Sequence, residues 1–334
     1  MAIQMLSFIK KNWFIAGLFA AVICGYNFSG FGKAINKDGM FFTFLVIFLF
    51  FIQGLTLQKE KIFLGIKNVK LHIVILSFIF IFYPLYFFAF VKMLPFINNE
   101  EIIVGLFVLA CLPTTIASCA VFVSLAGGNV SGTIFNSVIA NMAGVFISPL
   151  LFSFMLQTTM FALPLSMLIN VFMSLMIKII LPMAVGMIVR NFVINIVEKN
   201  RKKFPTATNC ATLCILFVVF AGSSDTITVD LVISLYPVFI FLALSYFAIS
   251  FLLYKITNLL GFSYDDVIAS VFTGAQKTLA MGAPLITLYF QYNPQILGIV
   301  LIPILFYHPW QLLSSSFIAK YFLWKKARMQ ESAG

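Results

Sequence analysis

Apolar residues in this chain come in long unbroken runs, not in the alternation of a half-buried strand or the narrow stripe of a surface helix. Crossing a hydrocarbon core as a helix takes roughly 17 to 25 residues. Ten runs approach or exceed that length: Trp13 to Phe31, Phe41 to Leu57, Leu71 to Leu94, Ile102 to Ala126, Val130 to Leu156, Leu163 to Val189, Ala207 to Gly222, Leu231 to Tyr254, Val267 to Phe290 and Gln295 to Leu323. The strands of a membrane β-barrel would instead alternate in polarity over about ten residues. The pattern predicts an all-α polytopic membrane protein of about ten transmembrane helices.

The runs are joined by short loops, and no Pro-rich or Ser-rich linker divides them. One membrane domain over 1–334 is expected, in two halves of about 1–160 and 161–334 with five helices each. An odd number of helices makes the second half enter the membrane in the opposite sense, which is the inverted-repeat design of many secondary transporters. The fourth run carries Cys111-Leu112-Pro113-Thr114-Thr115-Ile116-Ala117-Ser118-Cys119, and the ninth carries Thr273-Gly274-Ala275-Gln276-Lys277-Thr278 followed by Gly282 and Pro284. These interruptions lie 161 residues apart (274 − 113). Pro removes an amide donor and Gly loosens the helix, so backbone groups are left unpaired where no water can reach them. Discontinuous helices 4 and 9, matched across the halves, predict a binding site where they cross.

Composition agrees: 62% of the 334 residues are hydrophobic, 9% are charged, and there are 41 Phe. A net charge of +11 raises the question of a nucleic-acid partner, but the distribution of charge answers it. With the N-terminus cytoplasmic, most of the 21 Lys and Arg fall inside, including Lys10, Lys11 and the basic segment Arg190 to Pro205, while Lys33, Lys37 and Lys92 fall outside. That is the positive-inside bias, so no nucleic-acid partner is expected. The expected location is a bacterial inner (plasma) membrane with both termini cytoplasmic. No small-residue cleavage site follows the first run, which is therefore expected to be retained. The five Cys suggest neither a disulfide framework nor, at Cys210 and Cys214, a metal site.

The fifth run presents Thr133, Asn136, Ser137, Ala140, Asn141, Gly144 and Ser148 on one face. Small residues there suit close helix packing. Thr133, Asn136, Ser137 and Asn141, with Thr114, Thr115 and Ser118, could instead make a cage of neutral oxygen ligands for a small cation or a substrate hydroxyl. Two lysines, Lys178 and Lys277, fall in the middle of runs that contain no Asp or Glu, away from the run ends where Lys92 and Lys320 lie. A charge in mid-membrane needs a partner or a polar cavity. Lys277 can stand in for a metal cation at the crossing, bind an anionic substrate, titrate, or be satisfied by carbonyls without a transport role. Lys178, four residues before Pro182, poses the same question with a stem able to snorkel. His308, beside Pro309 and three residues from Gln311, is either a relay or substrate group or a partner for a carbonyl freed by that proline.

Leu112-Pro113-Thr114-Thr115, Ala126-Gly127-Gly128-Asn129, the run Gly274 to Gly282 and Tyr307-His308-Pro309 together resemble the signatures of the bile acid:sodium symporter superfamily. The resemblance spans the chain and is nearest the branch typified by the seventh member of solute carrier family 10 and its bacterial relatives. It implies a panel of helices one, two, six and seven and a core of helices three to five and eight to ten, with two sodium ions behind the crossing. Carried over by position, Ser118 and Cys119 fall near sodium ligands of the fourth helix, Thr133 and Ser137 match those of the fifth, and Gln276 matches one of the ninth. Two departures stand out: Phe272 replaces a Glu shared by both sodium sites, and Lys277 replaces an Asn. Loss of the anionic ligand and gain of an ammonium predict weakened sodium binding.

The expected function is secondary active transport of a small solute, an organic anion, by alternating access. Family-type sodium symport competes with a sodium-independent carrier, proton-coupled or facilitative, and with a non-transporting membrane regulator acting through Lys199 to Lys203. No enzyme activity is expected, since the runs hold no paired acids and no nucleophile beside His308. The partners expected are the substrate and the lipid bilayer, with no cofactor other than sodium ion. The sequence is silent on oligomeric state.

Overall fold

A computed structural model describes residues 13–57, 68–93, 97, 99–162, 164–200, 203–290 and 293–331. Among them there are helices and connecting turns but no strand. The first half runs α1 (Trp13–Asn27), α2 (Ser29–Ile35), α3 (Met40–Thr56), α4 (Val69–Ser77), a π turn (Phe78–Phe82), α5 (Tyr83–Met93), α6 (Glu100–Cys111), α7 (Ala117–Leu125) and α8 (Val130–Leu156). The second runs α9 (Leu165–Leu175), a π turn (Met176–Ile180), α10 (Leu181–Lys199), α11 (Phe204–Gly222), α12 (Val229–Ser234), α13 (Tyr236–Leu259), α14 (Tyr264–Ala275), α15 (Leu279–Tyr289), a 3-10 turn (Pro294–Ile296) and α16 (Leu297–Glu331). Among the described residues, 6 helices are fit by length and composition to cross a membrane, or up to 7 if α1 and α2 count as one bent span.

The fourth and ninth runs each fold as two short helices. The fourth stops at Cys111 and resumes at Ala117, and the ninth stops at Ala275 and resumes at Leu279. Each first half is a 12-residue helix with a capping side chain and two acids in its first turn: Asn99 with Glu100 and Glu101 for α6, Ser263 with Asp265 and Asp266 for α14. Asn99 Oδ1 accepts from Ile102 N, and Ser263 Oγ from Asp266 N, satisfying amides that the helix cannot pair. Gly274 is helical and packs on Leu253, so the second break begins after it, at Gln276.

Several expected spans are corrected. The first run does not continue straight to Phe31, since α1 and α2 meet at 92°. Phe28 leaves the helical region (φ −106, ψ 36) among Asn27, Ser29, Gly30 and Gly32, residues that favour turns over helix. The eighth run starts late: α12 ends at Ser234 and α13 begins at Tyr236, because Pro237 fits a first turn and not an interior. The basic segment Arg190 to Pro205 is not all loop, for α10 carries it to Lys199 as helix kinked at Val193 (φ −121, ψ 24). Arg190 is buried there and donates to Leu55 O (3.1 Å) and Glu198 Oε1 (2.9 Å). Lys10, Lys11, Leu94, Leu163, Arg201 and Lys202 lie outside the described residues.

Both π turns end two residues before a proline, Pro84 or Pro182. A proline withholds the N–H that would pair with the carbonyl four residues back, and the chain widens by one residue: Tyr83 N bonds Phe78 O, and Leu181 N bonds Met176 O.

The chain divides into two compact units, and each draws on both halves. The first comprises the described parts of Met1–Leu57, Pro164–Ile233 and Gly282–Ile302. Within it, α3 and α10 cross at paired glycines: a Cβ on Gly54 would lie 2.0 Å from Met183 O, and one on Gly186 2.2 Å from Phe51 O. Only Gly allows that approach. The second comprises the described parts of Gln58–Leu163, Ser234–Met281 and Pro303–Gly334. At one end of it Asp266 accepts from Asn68 Nδ2 (2.8 Å) and Asn129 Nδ2 (2.7 Å), and Lys326 pairs with Asp265 (2.6 Å), tying α4, α8, α14 and α16 together.

Candidate functional site

The two helix breaks meet inside the second unit. Thr278 N donates to Pro113 O at 2.9 Å, joining the interruptions backbone to backbone. Gln276 then reaches the start of α7: its Oε1 lies 2.8 Å from Thr115 Oγ1, 2.7 Å from Ser118 Oγ and 3.3 Å from Cys119 Sγ. Its amide nitrogen donates to Ser315 Oγ (2.9 Å), which also contacts the Tyr246 hydroxyl (2.7 Å). Thr115 and Ser118 hydroxyls are in direct contact, and Thr114 Oγ1 lies 3.3 Å from Cys119 Sγ.

A helix ends with carbonyls that lack a partner, carrying the negative pole of its dipole. At the end of α6, Lys277 supplies the missing donor. Its ammonium bonds Ala110 O (2.9 Å) and Leu112 O (2.8 Å), and also Ile79 O (3.1 Å) from the π turn before Pro84. The Tyr83 ring lies 4.0 Å from it, close enough for cation–π attraction. Lys277 is 1% exposed, and its three protons are matched by three carbonyls. At the end of α14, the hydroxyls of Tyr83 and Tyr307 perform the same task by donating to Ala275 O, and they contact each other.

The backbone of Lys277 is held as firmly as its side chain. Gln311 Oε1 accepts from Lys277 N (2.8 Å), and Gln311 Nε2 donates to Lys277 O (2.7 Å), pairing as a neighbouring strand would. Gln311 Nε2 also lies 3.0 Å from His308 Nδ1, which brings the imidazole to the same break.

From the small-residue face of α8, Asn141 donates to Thr114 O and Ser137 O, both at 2.8 Å, so it caps the first break. Gly144 lies against Pro113, where a Cβ would meet the ring at 2.9 Å. Asn136 is engaged elsewhere: His72 Nδ1 lies 3.1 Å from its Oδ1, and its amide bonds Gly132 O. Thr133 and Ser137 are fully buried, and among the described residues their hydroxyls have no hydrogen-bond partner; nor has that of Thr273.

The crossing thus gathers Thr114, Thr115, Ser118, Cys119, Asn141, Gln276, Lys277, Thr278, His308 and Gln311. Lys178 lies in the first unit, at the centre of the π turn Met176–Ile180, and is half-buried. The groups not singled out from sequence are Tyr83, Tyr246, Tyr307, Ser315 and His72. Only Tyr83, next to Pro84, and Tyr307, within Tyr307-His308-Pro309, carried a local signal. Among the described residues no group of three His, Cys, Asp or Glu is placed to hold a metal ion.

The model of the SBF-like CPA transporter family matches residues 12–324. Sodium/bile acid cotransporter 7 of Xenopus tropicalis is 27% identical over 321 residues, covering 93% of this chain and 92% of its own. The rat protein of the same name is 25% identical over 325 residues, covering 94% and 93%. An uncharacterized protein of Pseudomonas aeruginosa is 26% identical over 281 residues, 81% of each chain.

Proposed function

Because this chain belongs to the SBF-like CPA transporter family, a family of membrane transporters and not of enzymes, we propose that it moves a small organic anion by alternating access without sodium coupling. The observation that carries the reading is the Lys277 ammonium, bound to three carbonyls at the helix crossing. A fixed positive charge at the end of α6 does what a bound cation would do there: it neutralises the helix pole and holds the two breaks together. Phe272, fully buried on α14, brings no anionic ligand to offset a second cation.

We read the ten runs as two inverted five-helix repeats. Matched α6 and α14, each of 12 residues, capped, acidic in the first turn and followed by a break, support that reading. A plasma-membrane location with both termini cytoplasmic follows from the basic segments and is part of the same proposal.

Sodium symport is a second reading with its own support. The buried hydroxyls of Thr133 and Ser137 have no partner among the described residues, and two of the relatives above are named as sodium/bile acid cotransporters. Two neutral oxygens are acceptable ligands for a small hard cation.

Purified protein in liposomes separates these readings. Uptake of taurocholate, benzoate and hexanesulfonate is measured with an inward sodium gradient and with potassium in its place. Anion uptake that is equal in both supports the proposal. Uptake that requires sodium replaces it with symport, and absence of flux for every anion counts against transport of this class.

A further inference from the structure

We propose that the Lys178 ammonium receives the carboxylate or sulfonate of the transported solute, and that this residue sets the preference for anions. The inference rests on the transporter reading above and assigns its charge-recognition group.

The two lysines in the middle of apolar runs look alike in sequence but have opposite surroundings. Lys277 is buried with every donor matched, so its charge is spent within the protein. Lys178 is half-buried, and its ammonium makes no hydrogen bond, ion pair or ring contact with the described residues. It borders the packed face of its helix, where Leu175, Ile179 and Pro182 are buried, while Ile177 and Leu181 are exposed.

Snorkelling does not relieve it. Lys178 is 13 residues from Leu165 (178 − 165) and 15 from the kink at Val193 (193 − 178), the two ends of its straight helical stretch. At 1.5 Å per residue those distances are about 20 and 22 Å. A lysine stem reaches about 6 Å. An unpaired ammonium at that depth is a standing demand for an anion.

A second observation comes from the backbone. Lys178 is the central residue of the π turn Met176–Ile180, and Pro182 cannot supply the N–H that would pair with its carbonyl. The other proline-linked π turn of this protein, Phe78–Phe82, gives Ile79 O to the Lys277 ammonium. There the widened turn serves a charge; at Met176–Ile180 the widened turn carries one.

The test uses full-length protein in liposomes, with wild type, Lys178→Gln and Lys178→Arg, each checked for an unchanged cooperative melt. Uptake of taurocholate is measured together with the rate of reductive methylation of Lys178, read by mass spectrometry with and without hexanesulfonate or the neutral analogue hexanol. A charge-assisted bond lost on binding predicts an uptake loss of about ten- to hundred-fold in Lys178→Gln, with Lys178→Arg keeping most of it. Hexanesulfonate should slow methylation of Lys178 and hexanol should not. Wild-type uptake in Lys178→Gln, or methylation indifferent to hexanesulfonate, overturns the assignment. If wild type carries no anion yet hexanesulfonate still protects Lys178, the anion site stands and the transport reading falls.

Discussion

Replacing Lys277 by Met removes the ammonium while nearly conserving length and volume, so it isolates the charge. Three carbonyl bonds of 2.8 to 3.1 Å are lost. Hydrogen bonds to a charged group contribute about 1.5–3 kcal/mol each, so the gross loss is about 4.5–9 kcal/mol. Against this, burying an ammonium costs several kcal/mol that the variant no longer incurs. The net destabilisation is about 2–4 kcal/mol. For a chain of this size 1 kcal/mol corresponds to roughly 2 °C, so the melting midpoint should fall by about 4–8 °C. The assay is thermal unfolding of the purified protein in detergent, followed by tryptophan fluorescence, in sodium and in potassium at equal ionic strength. Lys277→Ala, which leaves room beside the same carbonyls, should regain part of its loss in a monovalent salt, whereas wild type should show no sodium-specific shift. A bound ion at 100 times its dissociation constant would raise stability by about 2.7 kcal/mol, a shift this assay resolves. Wild-type stability in Lys277→Met would refute the capping argument, because three buried carbonyls cannot lose a cation without consequence.

Three further outcomes follow from the same geometry. Gln311→Leu should lower the midpoint by an amount equivalent to about 2–3 kcal/mol, since both backbone groups of Lys277 lose their partners; Gln311→Glu, which keeps the acceptor for Lys277 N, should fall between it and wild type. Joint Thr133→Val and Ser137→Ala should raise stability in potassium by about 1–3 kcal/mol, because it removes two buried hydroxyls without partners; a sodium-dependent stabilisation that vanishes in this variant would instead identify them as sodium ligands. Outside the spans, Lys33 lies 2.8 Å from Asp225 and holds its carboxyl below the usual carboxylate range. A depressed value means that the pair stabilises above about pH 4 and that this is lost as pH falls through the folded value. Asp225→Asn should therefore flatten the acid limb of the stability–pH curve at low salt, and added salt should erase the difference because the pair is exposed.

Membership of a transporter family puts particular weight on the places where this chain departs from the ligand set that the resemblance implies. In the ligand set that the resemblance implies, Phe272 stands for a Glu and Lys277 for an Asn, and both exchanges would shift the crossing toward positive charge.

What the sequence determined is everything that depends on near neighbours. Runs of apolar residues dictate helices in lipid because no other structure pairs the backbone within a single segment. The breaks before Thr114 and after Ala275 were legible because Pro113 withholds a local hydrogen bond and the polar cluster Gln276-Lys277-Thr278 favours leaving the helix where partners exist. The bend at Phe28 and the widened turns before Pro84 and Pro182 had local signals too, but their direction is set by what the helix packs against. What only the tertiary structure decided is where each charge and hydroxyl is satisfied. Lys277 finds carbonyls at Ile79, Ala110 and Leu112, and Gln276 finds hydroxyls at Thr115 and Ser118, all more than 150 residues away. Lys178 and Lys277 are equivalent by hydropathy and by position within a run. The fold distinguishes them, because the cost of a buried charge depends on which carbonyls surround it, and that is a property of the packed chain alone.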